Sequence, residues 1–387
     1  MSRLLFAVIA ERGHLFPMLG PAMHLRDRGH DVHVYAEGPV DAPIEAAGLR
    51  RWPAVYPVPP QPYAGAEFSR RVRDPAWLRR WITTILLGGV AEQVPRIEAV
   101  IDELQPDAVI VDPMLYAAAI AAHRKARPWA CVSNSLNPAL PDDLDSDLLR
   151  TVAALTPGRA AMFQQYGMQP RFRGCDLLSP RLTVCFGSRT LVGTPPAGVT
   201  LVGASLPPQP REPRSDIDWE ALRDRPVLYM SLGSQVFHQP RMFKRVATAA
   251  RALNVRVVAS TGQLDPRPLG PWPAGSILRP WLPQLEVLPH AAVMVSHGGA
   301  NSVVESLAHG VPLLVSPICN DQFHQAELLR RADLGRIVDL HTASQAACTE
   351  ALQALLHPSV RERLHGCMPG DGASAAADRL EAWLAAP

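Results

Sequence analysis

A glycine-rich turn between a strand and a helix offers the clearest chemistry in this chain. A predicted strand over 293–296 leads directly into residues 297–302, with Gly298 and Gly299 at the turn and a helix predicted to begin near Asn301. Two glycines let a ligand approach the backbone closely, and a helix N-terminus presents free N–H groups with partial positive charge. Together they predict an anion site suited to a diphosphate. Asn301 and Ser302 add side-chain hydrogen bonds, and His297 adds a donor, charged or neutral.

An acidic side chain follows on the same predicted helix. Glu305 stands three residues after Ser302, about one turn along, so the two side chains share a face. Its carboxylate can accept hydrogen bonds from vicinal hydroxyls, and a ribose beside the diphosphate is the natural partner, as in dinucleotide sites. Taken singly, a Gly-Gly pair is usually only a turn and Ser302 only a helix cap. Their combination after an apolar strand favours a nucleotide site.

A second candidate centre lies near the amino terminus. His14 follows the first predicted strand in a predicted loop, and an imidazole that titrates near neutrality suits removal of a proton from a hydroxyl. A carboxylate on its other nitrogen would fix the tautomer and stabilise the imidazolium. Asp112, at the carboxyl end of its own strand, is placed for that role, whereas Asp107 begins the same strand at the wrong end. The alternative is a loop histidine bonded to the backbone.

The elements that must hold these side chains alternate between strands and helices. Residues 4–10 form a continuous apolar run, which suits a strand buried on both faces of a parallel sheet. A loop over 11–16, a helix over 18–28 started by Pro17 and a strand over 31–36 complete a βαβ unit. Further predicted helices and strands follow at 94–104, 107–112, 115–124 and 129–133. The pattern predicts a doubly wound α/β domain.

A proline-rich stretch separates this domain from a second one of the same kind. Residues 205–219 read as a stiff linker, after which strands and helices alternate again. We predict a first domain over 1–204, a second over 220–370, and a final helix over 371–387 that could cross back to the first. Two Rossmann-like domains facing across a cleft would bring the carboxyl ends of their strands to one site for two substrates.

The stretch 50–90 does not follow this rhythm. It combines many prolines with the aromatic residues Trp52, Tyr56, Tyr63, Phe68, Trp77 and Trp81. A long irregular stretch in a compact domain is often functional, so these aromatics could line a pocket for an apolar ligand or, equally, pack the domain's own core. Arginines among the tryptophans at 69–81 could lie on an anionic membrane surface, but a solvated charged face is the preferred interpretation.

Composition narrows the class of protein. The 387 residues carry a formal net charge of +2, too small to indicate a nucleic-acid binder. No run of apolar residues is long enough to predict a transmembrane helix, and the amino terminus lacks a signal-peptide cleavage site. The 6 cysteines show neither a CxxC pair nor the spacing of a zinc site. We therefore expect reduced thiols, a cytosolic protein and no metal site.

The spacing of these motifs resembles the donor-binding signature of the UDP-glycosyltransferase superfamily. Members are inverting enzymes of the GT-B fold and include plant natural-product glucosyltransferases and bacterial macrolide and antibiotic glycosyltransferases. The resemblance rests on Trp281-Leu282-Pro283-Gln284, residues 296–305, Gly310-Val311-Pro312 and Asp321-Gln322. In the first domain it covers only Gly13-His14 and Asp112.

The resemblance implies a role for each matching residue. The implied catalytic residues are His14 and Asp112, and the implied donor-binding residues are Gly13, Ser231, Gly233, Ser234, Trp281, Gln284, His297, Gly299, Asn301, Ser302, Glu305, Asp321 and Gln322. Trp281 would stack on the uracil, Gln284 would help hold the nucleoside and Glu305 the ribose. Residues 297–302 would hold the diphosphate, with residues 231–234 closing over it. Asp321 and Gln322 would bind the sugar's hydroxyls.

The resemblance also implies a donor and a reaction. Relatives that use dTDP-deoxysugars typically carry two histidines before the glycine pair and lack the glutamate, because their ribose has no 2′-hydroxyl. Here Ser296 precedes His297 and Glu305 is present, which favours a UDP-hexose such as glucose, with a dTDP-sugar as the alternative. His14 would deprotonate a hydroxyl of a small lipophilic acceptor, whose oxygen would attack the anomeric carbon with inversion. The helix N-terminus would stabilise the leaving diphosphate without a metal ion or further cofactor.

Three other functions stay open at this point. They are a transferase acting on a lipid acceptor at a membrane, a sugar-nucleotide epimerase of the same fold, and a protein that binds a nucleotide sugar without transfer. The expected partners are a nucleotide sugar and a small-molecule acceptor, with neither nucleic acid nor membrane. We expect a monomer or a homodimer.

Overall fold

The computed structural model of the chain describes residues 1–52 and 64–386. The chain divides into two compact units. The first comprises Met1–Pro60, Ala76–Glu212 and Pro369–Pro387, and the second comprises Gln61–Pro75 and Pro213–Met368, apart from 53–63 and 387, which lie outside the described residues. Each unit contains a parallel sheet with helices packed against it.

The elements follow one another in a regular alternation over most of the chain. The strands are β1 (Arg3–Ala7), β2 (Asp31–Tyr35), β3 (Arg50–Trp52), β4 (Ala108–Val111), β5 (Trp129–Ser133), β6 (Arg171–Arg173), β7 (Asp176–Leu178), β8 (Thr183–Cys185), β9 (Val199–Leu201), β10 (Val227–Ser231), β11 (Arg256–Ser260), β12 (Ile277–Arg279), β13 (Val293–Ser296), β14 (Leu313–Val315) and β15 (Gly335–Ile337). The helices are α1 (Arg12–Asp27), α2 (Asp41–Ala46), α3 (Gly65–Arg71), α4 (Pro75–Leu87), α5 (Val90–Leu104), α6 (Tyr116–Arg124), α7 (Asp147–Gln164), α8 (Arg189–Val192), α9 (Pro240–Ala252), α10 (Gln284–Val287), α11 (Ala300–Ala308), α12 (Gln322–Arg331), α13 (Gln345–Leu355), α14 (Pro358–Leu364) and α15 (Gly372–Ala385). Short 3-10 turns occur at Asn137–Ala139, Glu220–Leu222, Arg267–Leu269 and Leu288–His290.

The main sheet of the first unit is buried on both faces. Within the described residues its parallel strands run in the order β3-β2-β1-β4-β5-β8-β9, and β6 pairs with β7 as a separate antiparallel hairpin. Leu5 and Ala7 of β1 pack into a core shared with α5 and α6, whereas Leu4 and Phe6 pack into the opposite core with α1 and α15. A strand covered on both sides must be apolar at every position, which explains its continuous apolar run.

Both sheets reverse their strand order at one point. The second unit's described strands are parallel in the order β12-β11-β10-β13-β14-β15, so its order reverses between β10 and β13, where Ser231 pairs with Ser296. In the first unit the reversal falls between β1 and β4, where Ala7 pairs with Val111. The loops after two such strands diverge and leave a crevice suited to a ligand. The predicted doubly wound α/β class is confirmed in both units.

The first helix begins earlier than the sequence analysis predicts. The backbone N–H of His14 donates to the carbonyl of Glu11 and closes the first turn, so residues 12–16 are helical and not a loop. The prediction took Pro17 as the helix start because proline is favoured in the first turn of a helix. However, α1 contains both Pro17 and Pro21.

A hydroxyl from a distant part of the chain supports α1 where its prolines interrupt the backbone hydrogen bonds of the helix. Pro21 has no N–H to donate to the carbonyl of Pro17, four residues earlier. The Ser205 hydroxyl donates to that carbonyl instead, at 2.6 Å. Because Ser205 is buried, this bond satisfies an acceptor that would otherwise lose its helical partner.

The stretch 50–90, predicted to be irregular, is largely helical in its described part. It forms α3 and α4, and Pro75 stands at the first position of α4, where its missing N–H costs nothing. Phe68 is buried, and the Trp77 and Trp81 rings stack with centroids 6.1 Å apart. Tyr56 and Tyr63 lie outside the described residues.

The division into units differs from the predicted domain boundaries. The described residues 64–75 group with the second unit, although the prediction assigned them to the first domain. The predicted linker 205–219 is divided after Glu212. On one side Ser205 forms a β-bridge with Asp371; on the other, the Ser215 N–H donates to Glu286 at 2.8 Å. The contacts of the proline-rich stretch, and not its composition, decide to which of the two units each half belongs.

The C-terminal helix α15 belongs to the first unit. Ala376, Ala377 and Leu380 pack into its core. A Cβ atom on Gly20 of α1 would lie 2.7 Å from the Cβ of Ala373, so the absence of a side chain at Gly20 permits the close approach of the two helices. Among the described residues, no helix is both long and apolar enough to cross a membrane.

Candidate functional site

The predicted base and its carboxylate meet at the switch point of the first unit. His14 lies in the first turn of α1 and not in a loop, and Asp112 directly follows β4. The Nδ1 atom of His14 lies 2.7 Å from Oδ2 of Asp112. With Nδ1–H donating to the carboxylate, Nε2 is the nitrogen that can exchange a proton with a ligand.

The Asp112 carboxylate is fully buried and accepts several hydrogen bonds. Oδ1 accepts the backbone N–H of Met114 at 3.1 Å, and Oδ2 accepts that of Ile9 at 3.4 Å. The side-chain amide of Asn134 donates to Oδ2 at 3.1 Å. Hydrogen bonds to the charged form offset the cost of removing a carboxylate from water.

The environment of His14 changes its proton affinity. Burial lowers its pKa, but the charge of Asp112 and the hydrogen bond to it outweigh that effect, and the pKa rises to about 9. The nearby carboxylates of Glu11 and Asp176 act in the same direction. In the free protein the imidazole therefore holds its proton at neutral pH and becomes a base as it loses that proton.

Sequence reasoning missed two polar residues beside this pair. Asn134 contacts both His14 and Asp112, and the buried Asp176 anchors the loop that carries Asn134. A signal was present, since polar residues directly follow the buried strand β5 at the same edge of the sheet. Nothing in the spacing connects Asp176 to them, because it arrives from the distant hairpin β6–β7.

The predicted diphosphate turn follows β13 in the second unit. The Ser296 hydroxyl accepts the N–H of Gly298 at 3.1 Å, and α11 begins at Ala300, one residue before its predicted start. Gly299 is the N-cap and has no side chain to bond the first N–H groups of the helix. Asn301 and Ser302 are in the first turn. The arrangement presents backbone donors with partial positive charge to a ligand.

His297 is wedged between two glycines. A Cβ atom on Gly233 or on Gly299 would lie 2.7 Å from its Nε2 atom, and Gly233 has a φ of +75°, which also favours glycine. Burial lowers the pKa of His297 to about 4, although a hydrogen bond to the backbone of Ser231 acts in the opposite direction. Of the two states that the sequence leaves open, the free protein holds the neutral imidazole.

Three of the predicted nucleoside and diphosphate residues are brought together. The Gln284 amide donates to Oε2 of Glu305 at 2.7 Å, and the Ser302 hydroxyl donates to Oε1 of Gln284 at 3.4 Å. Glu305 is buried, whereas 43% of Trp281 is exposed. Ser234 is also exposed.

The predicted sugar-binding pair borders the same turn. A Cβ on Gly298 would lie 3.2 Å from the carbonyl oxygen of Gln322. The side-chain oxygen of Gln322 accepts the N–H groups of Ile318 and Cys319, so this oxygen closes its own loop. Asp321 accepts the amide of Gln325 at 2.8 Å.

Gly13 is separated from the other predicted donor-binding residues along the chain. It lies in the first turn of α1, in the first unit, whereas the others lie in the second unit. Gly13 is exposed, and a Cβ there would meet nothing within 4 Å. The surrounding protein would therefore admit a side chain at this position.

Comparisons with known proteins bear on what this chain does. Residues 203–364 match the family described as UDP-glucoronosyl and UDP-glucosyl transferase. The chain is 27% identical over 385 residues to NDP-glycosyltransferase YjiC of Bacillus subtilis (strain 168), covering 96% of this chain and 95% of that protein. It is also 27% identical over 416 residues to the oleandomycin glycosyltransferase of Streptomyces antibioticus, covering 98% and 90%. The chain is a glycosyltransferase.

Solved structures agree with this assignment in fold. The glycotransferase of kitacinnamycin matches this glycosyltransferase with a TM-score of 0.78 and 24% identity, over 99% of both chains. The glycosyltransferase VinC in complex with dTDP matches with a TM-score of 0.70 and 18% identity, again over 99% of both. These likenesses show the GT-B fold. The resemblance to UDP-glycosyltransferases noted from the sequence is confirmed.

Proposed function

We propose that this glycosyltransferase moves a hexose, glucose in the first instance, from a UDP-sugar to a hydroxyl group of a small lipophilic natural product. The observation that carries the proposal is the arrangement at the start of α11. Its first turn offers backbone donors without a side-chain cap, and a buried carboxylate, Glu305, stands one turn further on the same helix. A diphosphate suits the first feature, and a ribose suits the second.

The preference for UDP rests on Glu305. Its carboxylate is bonded to Gln284, so the two side chains form one polar group beside the diphosphate turn. A ribose can donate both its 2′- and its 3′-hydroxyl to such an acceptor, whereas a 2′-deoxyribose has only the 3′-hydroxyl. The alternative donor, a dTDP-deoxysugar, is supported by the likeness to VinC, whose crystal structure contains dTDP.

The proposed reaction uses the two switch points for two tasks. Nε2 of His14 takes the proton of the acceptor hydroxyl, while Asp112 stabilises the resulting imidazolium. The acceptor oxygen attacks the anomeric carbon through an oxocarbenium-like transition state, and the bond to the diphosphate breaks, with inversion. The N-terminus of α11 stabilises the negative charge that develops on the leaving group. The mechanism invokes no metal ion or further cofactor.

The acceptor class is proposed from the relatives. A relative named oleandomycin glycosyltransferase covers nearly the whole chain, which supports an antibiotic-type acceptor. The buried aromatic side chains of the first unit, such as Phe163 and Tyr116, pack its core and give no further selection among scaffolds.

An acceptor panel tests the proposal. Macrolide, flavonoid and polyketide hydroxyl compounds are incubated with UDP-glucose or dTDP-glucose, and products are identified by mass spectrometry. We expect glucosides from UDP-glucose, and none with His14→Ala although that variant still binds UDP. As a matched control, His365→Ala changes an exposed histidine of the second unit and should transfer normally. Products from dTDP-glucose alone would refute the donor, and full activity of His14→Ala would refute the base.

A further inference from the structure

Asn134 stands in the loop after β5, beside the His14–Asp112 pair. Its Nδ2 atom lies 2.6 Å from Nδ1 of His14 and 3.1 Å from Oδ2 of Asp112. We propose that Asn134 is a positioning residue that shares this carboxylate oxygen with His14, and that buried Asp176 holds it there. Its catalytic meaning rests on the proposed role of His14 as the base.

Asn134 contacts the same Asp112 oxygen that accepts the hydrogen bond from His14. Oδ2 of Asp112 accepts Nδ1–H of His14 at 2.7 Å, and the Asn134 amide donates to the same oxygen. Together with the longer bond from the N–H of Ile9 at 3.4 Å, these donors fix the rotation of the carboxylate. They also divide its negative charge, so the amide limits how strongly Asp112 retains the proton on His14.

A single buried carboxylate fixes the loop that carries Asn134. Asp176, at the start of β7, has no exposed surface. Its Oδ2 accepts the hydroxyls of Ser133 at 2.6 Å and Ser135 at 3.2 Å, and its Oδ1 accepts the amide of Asn137 at 2.9 Å. Residues 133, 135 and 137 thus turn their side chains to Asp176.

The alternation of these contacts explains the direction of Asn134. Its neighbours on both sides, Ser133 and Ser135, are bonded to Asp176, while the Asn134 amide donates to Asp112 beside His14. The loop is also closed from within, since the N–H of Ser135 donates to the Ser133 hydroxyl at 3.2 Å. Asn134 therefore has little freedom to turn away from His14.

Asp176 is an unusual anchor because its hydrogen-bond partners in the described residues are all neutral. Burial raises its pKa to about 6 against the opposing effect of the Ser133, Asn137 and Ser135 donors, and the charge of Asp112 adds to the rise. Above that pH it is an anion. Three titratable groups raise the pKa of His14, namely Asp112, Glu11 and Asp176.

The first test measures His14 directly, without donor or acceptor. The histidine side chains are titrated by NMR, and His14 is assigned through the loss of its signal in His14→Gln. In Asn134→Ala the competing donor is gone, so we expect the pKa of His14 to rise by about half a unit. A control variant, Ser179→Ala, removes a buried hydroxyl that donates to Trp129 at the opposite end of β5 and should leave it unchanged. A His14 pKa in Asn134→Ala at or below the wild-type value would overturn the proposal.

The second test examines the anchor. Hydrogen exchange of a peptide covering residues 133–137 is followed by mass spectrometry in Asp176→Asn and in the milder Ser133→Ala, which removes one donor to Asp176. We expect at least about tenfold faster exchange than in wild type or Ser179→Ala, because each lost bond lowers the cost of local opening. Unchanged exchange in Ser133→Ala and in folded Asp176→Asn would remove Asp176 from the proposal. Neither readout needs transfer activity, so failure here is distinct from failure of the transferase mechanism.

Discussion

Nδ1 of His14 lies 2.7 Å from Oδ2 of Asp112, a carboxylate with no surface exposed to solvent. The two residues are 98 positions apart in the chain. They meet because β1 and β4 are neighbours in the sheet and both end at its carboxyl edge. The buried charge holds a proton on the imidazole, which sets the pH range in which His14 can act as a base.

The pH dependence of transfer should report this proton. Because a general base must be neutral and the pKa of His14 is raised to about 9, we expect kcat/KM to increase as pH rises toward 9. Below that value the neutral fraction, and with it kcat/KM, should fall about tenfold per unit. The measurement is the initial rate at low acceptor concentration between pH 6 and 10. A profile that is already flat above pH 7 would contradict the assignment.

Replacing the carboxylate should move this profile in the opposite direction. In Asp112→Asn the side chain keeps its size but loses its charge, so burial is opposed only by the smaller effects of Glu11 and Asp176, and the pKa of His14 falls. We expect the acid limb of the pH profile to shift to lower pH, while the maximal rate drops about 10²–10⁴-fold for loss of the oriented base. A lower rate with an unshifted limb would indicate that Asp112 does not set the proton affinity of His14.

Gly299 should be required for the His297 ring to keep its position. In Gly299→Ala the new Cβ would lie 2.7 Å from Nε2 of His297, although the backbone φ of −60° accepts alanine. The ring must move, and we expect UDP binding measured by calorimetry to weaken about tenfold or more, since such overpacking costs about 1–3 kcal/mol.

A second glycine provides the matched control for this variant. Gly310 has a φ of +62°, and a Cβ there would meet nothing within 4 Å. Gly310→Ala should therefore lower the melting temperature through backbone strain, about 1–2 kcal/mol, without changing UDP affinity. Equal UDP affinity in Gly299→Ala and wild type would show that the position of the His297 ring is unimportant for the donor.

The hydroxyl of Ser205 should stabilise the first unit through α1. In Ser205→Ala the buried carbonyl of Pro17 loses its donor, and we expect a loss of about 1–3 kcal/mol, seen as a lower thermal midpoint. In Pro21→Ala the helix regains an N–H for the same carbonyl, so Ser205→Ala should cost less in that background. Equal costs in both backgrounds would mean that the bond to Pro17 is not the source of the loss.

Glu305 should distinguish the two candidate donors. A hydrogen bond to a charged group is worth about 1.5–3 kcal/mol, so Glu305→Ala should weaken binding of UDP-glucose about ten- to a hundredfold. Binding of dTDP-glucose, whose deoxyribose has no 2′-hydroxyl, should weaken less. Glu350→Ala, at an exposed position of α13, is the control and should affect neither donor. Equal losses for both donors would remove the reason to prefer UDP.

Much of the fold can be read from local patterns. The strand β5 has its predicted ends, and α11 begins one residue before its predicted start. For such short apolar runs, the length and the flanking turn residues favour a buried strand over a helix. Errors arose at prolines, because a proline can begin a helix, lie within one or mark an irregular segment. Pro17 was taken to begin a helix that in fact contains it, and the prolines of 50–90 obscured α3 and α4.

The same contrast between local and remote partners applies to the residues of the candidate sites. The donor residues from Trp281 to Gln322 are close in sequence, so spacing could connect Ser302 with Glu305, and the family resemblance added Gln284 to the same prediction. Asn134 and Asp176 were missed because their partners are remote. Asn134 is 120 positions from His14, and Asp176 is 43 positions from Ser133.

The sequence by itself therefore determined the α/β class and the glycine turn before α11, since these depend on residues within a few turns of one another. Only the tertiary structure decided that His14 is protonated and His297 neutral at pH 7. Proton affinity depends on burial and on charges that distant segments contribute, Asp112 for the first histidine and none of comparable effect for the second. The same reason applies to Pro17, whose carbonyl is satisfied by a hydroxyl 188 positions away.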